Sequence, residues 1–157
     1  MIQLTGLMQN SKALFSGKYI EYITPKKLFN GLNDEFHFVL DPCTTNDNPL
    51  NTPYFFTKEN DGLSQSWNYD GAVYVNPPYG NEIINWIKKS YEESRKGCTV
   101  VMLLPARTDT KWFHEYVYNK AEVRFLRGRL RFEGPYGKRG ETNSAPFPSI
   151  IVVFRPA

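Results

Sequence analysis

The stretch Gly71-Ala72-Val73-Tyr74-Val75-Asn76-Pro77-Pro78-Tyr79-Gly80 decides how the chain is read. Gly71 to Val75 is an apolar run that reads as a buried strand. Ile83 to Tyr91 beyond it has helical spacing. Asn76-Pro77-Pro78-Tyr79 is thereby set at the carboxyl end of a strand, where open α/β sheets place their ligand crevice. A short amide side chain accepts a hydrogen bond from an exocyclic amino group, and a neighbouring aromatic ring stacks on a planar base. The two prolines remove two N–H donors and hold φ, so the backbone is stiff and its carbonyls point to other donors. The plainer reading, a proline-rich turn after a core strand, does not explain the flanking Asn and Tyr-Gly.

Working outward, strand and helix alternate. Thr24-Pro25 reads as a helix start, with Thr24 as cap and the helix over 26–32. A first sheet strand is expected over 36–40, stopping at Asp41-Pro42. The 44–53 stretch is rich in Thr, Asn, Asp and Pro and reads as loop, followed by a short strand at Tyr54-Phe55-Phe56. The pattern further predicts a central strand over 72–75, a helix over about 81–96, a fully buried strand over 99–104 and a helix over 109–118. Strands are expected over 122–126, 129–132 and 149–154, with a Gly- and Pro-rich loop over 133–148. The fold class is therefore α/β, with a mostly parallel sheet flanked by helices and a C-terminal antiparallel β-hairpin.

The 157 residues are read as one compact domain, with 1–18 as a partly ordered lead-in. Hydrophobic residues make up 41%, and no apolar run is long enough to span a bilayer. The N-terminus lacks a basic region followed by an apolar stretch, so the chain is expected in the cytoplasm of the cell that makes it. Cys43 and Cys98 lie far apart, and His37 and His114 are isolated, which argues against a disulfide framework or a metal site. Net charge is +3, from 19 Lys and Arg against 16 Asp and Glu. That balance permits nucleic-acid binding without demanding it. The distribution says more, because Arg124, Arg127, Arg129, Arg131, Lys138 and Arg139 crowd one segment. Either a solvated face or a phosphate-contacting surface accounts for them.

Asn76-Pro77-Pro78-Tyr79 resembles the catalytic motif of amino-group methyltransferases that use S-adenosylmethionine. Enzymes acting on DNA adenine, RNA adenine and protein glutamine share that motif. Further segments occur in order: Leu40-Asp41-Pro42-Cys43, Asp61-Gly62-Leu63 with Trp67, Leu103 to Thr110, Arg124 to Phe132, and Ala145-Pro146-Phe147-Pro148-Ser149. Together they resemble the small phage-type DNA N6-adenine methyltransferases, from about Tyr22 to Phe154. The resemblance implies a Rossmann-like methyltransferase fold, S-adenosylmethionine as cofactor, DNA as partner, and a phage or prophage enzyme protecting DNA from restriction. It leaves as alternatives the same chemistry on RNA adenine or protein glutamine, or a catalytically silent DNA-binding accessory protein. No stretch remains for a separate target-recognition domain.

The same resemblance implies the site. Thr24-Pro25 and Asp41-Pro42-Cys43 stand where related enzymes hold the methionine part of the cofactor. The glycines usual after that aspartate are replaced by Thr44-Thr45-Asn46, so backbone approach to the cofactor differs here. Only about 35 residues separate Asp41 from Asn76, and no acidic residue stands clearly at a second strand end. Glu59 and Asp61 are the candidates for the ribose, with Asp61 preferred. Asn76, also expected to touch the cofactor, and the Pro77 carbonyl are expected to hold the adenine N6 hydrogens of a base flipped out of the duplex, with Tyr79 stacking on it. DNA contacts are expected from Tyr79, Arg107, Arg127, Arg129, Arg131, Lys138 and Arg139.

Overall fold

The computed structural model describes residues 23–133 and 144–157. The lead-in over 1–18, Lys138 and Arg139 lie outside the described residues. In chain order the elements are α1 (Lys26–Phe36), β1 (Phe38–Asp41), β2 (Tyr54–Phe55), 3-10 turns at Lys58–Asn60 and Gly62–Ser64, β3 (Ala72–Val75), α2 (Ile83–Arg95), β4 (Val100–Pro105), a π-helical turn at Phe113–Val117, β5 (Glu122–Phe125) and β6 (Ser149–Phe154).

The six strands form one sheet in the order β2-β1-β3-β4-β6-β5. The pairings β1 with β2, β1 with β3 and β3 with β4 are parallel, whereas β6 is antiparallel to both β4 and β5. The sheet is thus mixed rather than mostly parallel. The antiparallel part is no tight hairpin, because β6 inserts between β4 and β5. A strand buried on both faces with a long apolar run, as β6 is, gains most by pairing on both sides. Since β5 is antiparallel to β6 and β6 to β4, strands β1 to β5 all point the same way. Their carboxyl ends share one edge of the sheet.

Both faces are covered. Val73, Val75, Val100, Met102, Leu104, Ile150 and Val152 pack with Trp67, Trp86 and Ile87 on one side. Ala72, Tyr74, Val101, Leu103, Ile151 and Val153 pack with Phe29, Leu32 and Phe132 on the other. Alternate residues of each strand serve alternate faces, as the pleat requires.

Four local expectations differ. Helix α1 runs past the expected end at 32 to Phe36 because its break comes at His37, which takes φ 55° and donates its N–H to the Asn33 carbonyl at 2.8 Å. The Asn33 side-chain oxygen then accepts the Phe38 N–H at 2.8 Å, which starts β1 cleanly. Thr24 is not the cap of α1; Pro25 occupies that position, and the Lys26 N–H donates to the Glu133 carboxylate at 2.8 Å. The helix expected over 109–118 winds as a π turn, closed by the Tyr118 N–H on the Phe113 carbonyl at 2.8 Å. The strand expected over 129–132 is reduced to single bridges, Arg131 to Ser144 and Ile23 to Glu133. Gly128, at φ 75°, turns the chain out of the sheet after β5.

Candidate active site

The chain leaves β1 to form β2 on one side, then crosses back to form β3 on the other, and β3 leads on to β4. The connections therefore diverge between β1 and β3. A crevice opens beyond the carboxyl ends of strands at such a switch point. Asp41 ends β1 and Asn76 follows β3, so these two residues flank it.

Thr24 joins them from the start of α1. It is 1% exposed, and its hydroxyl shares a hydrogen bond of 2.7 Å with the Tyr74 hydroxyl. The Asn76 amide nitrogen donates to the same Thr24 oxygen at 3.3 Å. Burial pushes the Tyr74 phenol far up, so it stays protonated across the physiological range. This chain of groups explains why Thr24 does not cap its helix: its hydroxyl is drawn across to the sheet.

Asp41 is 3% exposed. Its carboxylate accepts the Cys43 N–H at 3.3 Å. Burial raises its pKa to about 7, while hydrogen bonds from the Cys43 backbone and the Thr44 side chain pull the other way. Among the described residues, no lysine or arginine forms an ion pair with it. A buried carboxyl without a cation is costly to ionise and suits a cationic ligand.

The loop after β1 is held from two sides. Phe56 donates its N–H to the Asp41 carbonyl at 2.9 Å and accepts the Thr44 N–H at 3.1 Å. Gly62 lies so close to Pro42 that any Cβ there would overlap the Pro42 carbonyl oxygen. The Trp67 indole N–H donates to the Gly62 carbonyl at 2.8 Å, and Trp67 stacks on Trp86. Asp61 is thereby set beside the Pro42 loop, exposed and in the left-handed region at φ 53°. Glu59, also exposed, belongs to the preceding 3-10 turn and lacks this anchor.

On the far side of the crevice, Tyr79 meets Phe147 edge-on with ring centroids 5.3 Å apart. The Arg107 guanidinium sits 5.9 Å from the Phe147 ring centre. Phe147 was legible only as part of the Ala145–Ser149 segment, and its part in the site emerges from the long return before β6. Phe56 and Tyr74 gave no sequence sign beyond ordinary strand residues.

The basic segment divides. Arg124 is taken up by a bidentate pair with Glu35 at 2.7 Å and by a contact with Glu122, which Arg155 also meets. These groups gather at the sheet edge away from the crevice and tie α1 to β5. Arg127, Arg129 and Arg131 are exposed after the carboxyl end of β5, on the crevice side. Arg129 donates to the Ala145 carbonyl at 3.4 Å. Among the described residues no cluster of His, Cys, Asp and Glu could hold a metal, and no helix is long and apolar enough to cross a membrane.

Comparison with known proteins gives one family and two phage relatives. The family described as DNA N-6-adenine-methyltransferase (Dam) matches residues 18–157. A protein of Escherichia phage T1 named DNA N-6-adenine-methyltransferase is 30% identical over 149 residues, covering 84% of this chain and 61% of the relative. One of the same name from Haemophilus phage HP1 is 29% identical over 139 residues, covering 86% of this chain and 78% of the relative. This chain therefore spans less than two thirds of the phage T1 protein's length.

Proposed function

The chain belongs to the DNA N-6-adenine-methyltransferase (Dam) family, and from that premise we propose that it methylates the N6 amino group of adenine in DNA with S-adenosylmethionine as cofactor. The observation that carries this reading is the joining of Asn76 to Thr24 and Tyr74 across the crevice from the buried Asp41. A Rossmann-like methyltransferase fold is the natural reading of the parallel half of the sheet, with its switch point between β1 and β3. We read the chain as a single domain acting in the cytoplasm of a phage-infected or lysogenic host, where the methyl mark shields DNA from restriction.

S-adenosylmethionine, when bound, supplies a methyl group on a sulfonium. The residues around the crevice fit it. Asp41 offers a carboxylate to an ammonium, Thr24-Pro25 and the Pro42-Cys43 backbone line the same place, and Asp61 is set beside them for ribose hydroxyls. The Asn76 side-chain oxygen and the Pro77 carbonyl accept the two N6 hydrogens of adenine. Holding both draws the lone pair out of the ring and fixes its direction, so positioning supplies most of the rate. A base inside a duplex cannot reach Asn76, so it is extruded at a cost of a few kcal/mol. Tyr79, propped by Phe147, offers a stacking surface worth about 1–3 kcal/mol. The deciding experiment is transfer of labelled methyl to unmethylated duplex DNA, with RNA and protein as parallel acceptors. Label in DNA adenine is expected; label only in RNA or protein, or none with no cofactor bound, overturns the reading.

Asp41 makes cofactor affinity depend on pH. Its carboxyl keeps a proton in the free protein up to about pH 7, whereas in the unfolded chain it loses that proton near the ordinary value of 3.8. Between those values the folded state holds more protons than the unfolded one, so stability of the free protein declines as pH rises and levels off above about 7. A cationic ligand needs the charged form. Affinity should therefore rise about tenfold per pH unit up to that point and then flatten. Calorimetric titration of wild type and Asp41→Asn checks this: the variant should bind weakly and lose that portion of the pH dependence. Parallel profiles would remove Asp41 from the ammonium site.

Phosphate contacts are assigned to Arg107, Arg127, Arg129 and Arg131, with Lys138 and Arg139 also proposed. Arg129 has a partly structural duty through Ala145, so Arg127 and Arg131 give the cleaner test. Replacing both with alanine should flatten the plot of log affinity against log salt by about two units. An unchanged slope, measured by fluorescence anisotropy, would return them to the solvated surface.

A further inference from the structure

Phe125 is the most exposed large apolar side chain among the described residues, at 73%, against 51% for Tyr54 and 56% for Tyr118. It is the last residue of β5, an edge strand. Leaving a phenylalanine ring in water there forgoes the favourable free energy that burial would return.

Its position along the sheet is fixed by register. Phe125 lies opposite Ile150, and Ile150 opposite Leu104. Val75 lies opposite Met102, two residues earlier on β4. Phe125 therefore stands about level with the residues just after Val75, that is, with the Asn76-Pro77 turn. Three strand spacings separate β3 from β5 across β4 and β6, about 14 Å in all. That distance is about four base-pair rises of 3.4 Å.

Tyr79 touches Phe147, Phe147 lies beneath Arg107, and the Leu126 N–H donates to the Ser149 carbonyl at 3.3 Å. Arg127, two residues past Phe125, is exposed, and among the described residues it forms no ion pair. An exposed ring two residues from an exposed arginine, at the edge that holds the catalytic turn, matches the chemistry of duplex DNA, where phosphates meet the cation and sugar and base edges meet the ring.

We infer that Phe125 is an apolar contact to duplex DNA, gripping the flank about four base pairs from the adenine held at Asn76. The inference rests on DNA being the acceptor. Its energy comes from burying the ring and involves no phosphate. Loss of the ring therefore weakens binding equally at every ionic strength, unlike loss of an arginine.

The test measures affinity of the full chain for a fluorescein-labelled unmethylated duplex fragment across a salt series, with wild type, Phe125→Ala and Phe125→Trp. Phe125→Ala should raise Kd about tenfold in a line parallel to wild type, raise KM for DNA and leave kcat and Tm unchanged. Phe125→Trp should restore affinity. Wild-type affinity in Phe125→Ala, a changed salt slope, a fall in Tm that tracks the loss, or a shift of the DNA-free protein from dimer to monomer would each overturn the inference. The last of these would mean that a second copy of the chain covers the ring. If wild type labels DNA while Phe125→Ala is indistinguishable from it, this contact alone fails; if wild type labels no DNA, the proposed activity fails first.

Discussion

Asn76→Ala is expected to lower methyl transfer about 1000-fold while cofactor affinity falls less than tenfold. A preorganised polar group aimed at a reacting centre is worth about 100- to 1000-fold when removed. Asn76 has two claims on the upper end. Its amide nitrogen is held by the Thr24 hydroxyl, itself hydrogen-bonded to Tyr74, so the side chain enters the reaction already oriented. The adenine amino group is also a poor nucleophile until its hydrogens are accepted in one geometry. Asn76→Asp keeps an acceptor and should retain more activity than the alanine variant. Single-turnover transfer to duplex DNA, paired with calorimetric binding of cofactor, reads both quantities. Binding and activity lost in proportion would make Asn76 a cofactor ligand rather than a base-holding residue.

Gly62→Ala is expected to cost about 3 kcal/mol of stability, the upper part of the range for overpacking, and to lower Tm by about 10 °C. The added Cβ would overlap the Pro42 carbonyl oxygen and come within 3.2 Å of the Trp86 ring. Neither can withdraw easily. Pro42 follows the buried Asp41, and Trp86, a buried residue of α2, stacks on Trp67. The strain should displace the Asp41-Pro42-Cys43 loop, so cofactor affinity should drop at least tenfold as well. Gly31→Ala is the matched control: a Cβ there meets nothing within 4 Å, and the position is inside α1. That change should stabilise the protein by about 0.5–1 kcal/mol. Thermal unfolding of the two variants side by side decides the matter. Equal Tm values would mean that the Pro42 loop yields freely and that Gly62 does not anchor it.

Much of the fold was readable because its signals are local. The apolar run before Asn76 is β3, the run over 99–104 is β4 shifted by one residue, and Ser149–Phe154 is β6. Each is long or apolar enough that burial leaves little choice. The misreadings fall where local pattern and tertiary contact compete. Phe36 reads as the start of a strand, yet the break at His37, stabilised by Asn33, keeps it in α1. Arg129 to Phe132 alternates like a strand, yet no neighbouring strand pairs with it continuously, and Phe132 turns inward at 2% exposure instead. Thr24 reads as a cap, yet a phenol 50 residues away claims its hydroxyl.

By itself the sequence determined the α/β alternation, the strand that ends in Asn76-Pro77-Pro78-Tyr79, and the chemistry those four residues suit, because side-chain type and spacing along the chain set all three. The tertiary structure alone decided that Asn76 meets Thr24, that Gly62 abuts Pro42, that Asp41 is buried with no ion-pair partner among the described residues, and that Arg124 belongs to Glu35 while Arg127 remains exposed near the crevice. Those pairings join residues tens of positions apart. They follow from strand order and from β6 inserting between β4 and β5, which no local pattern of apolar and polar residues encodes.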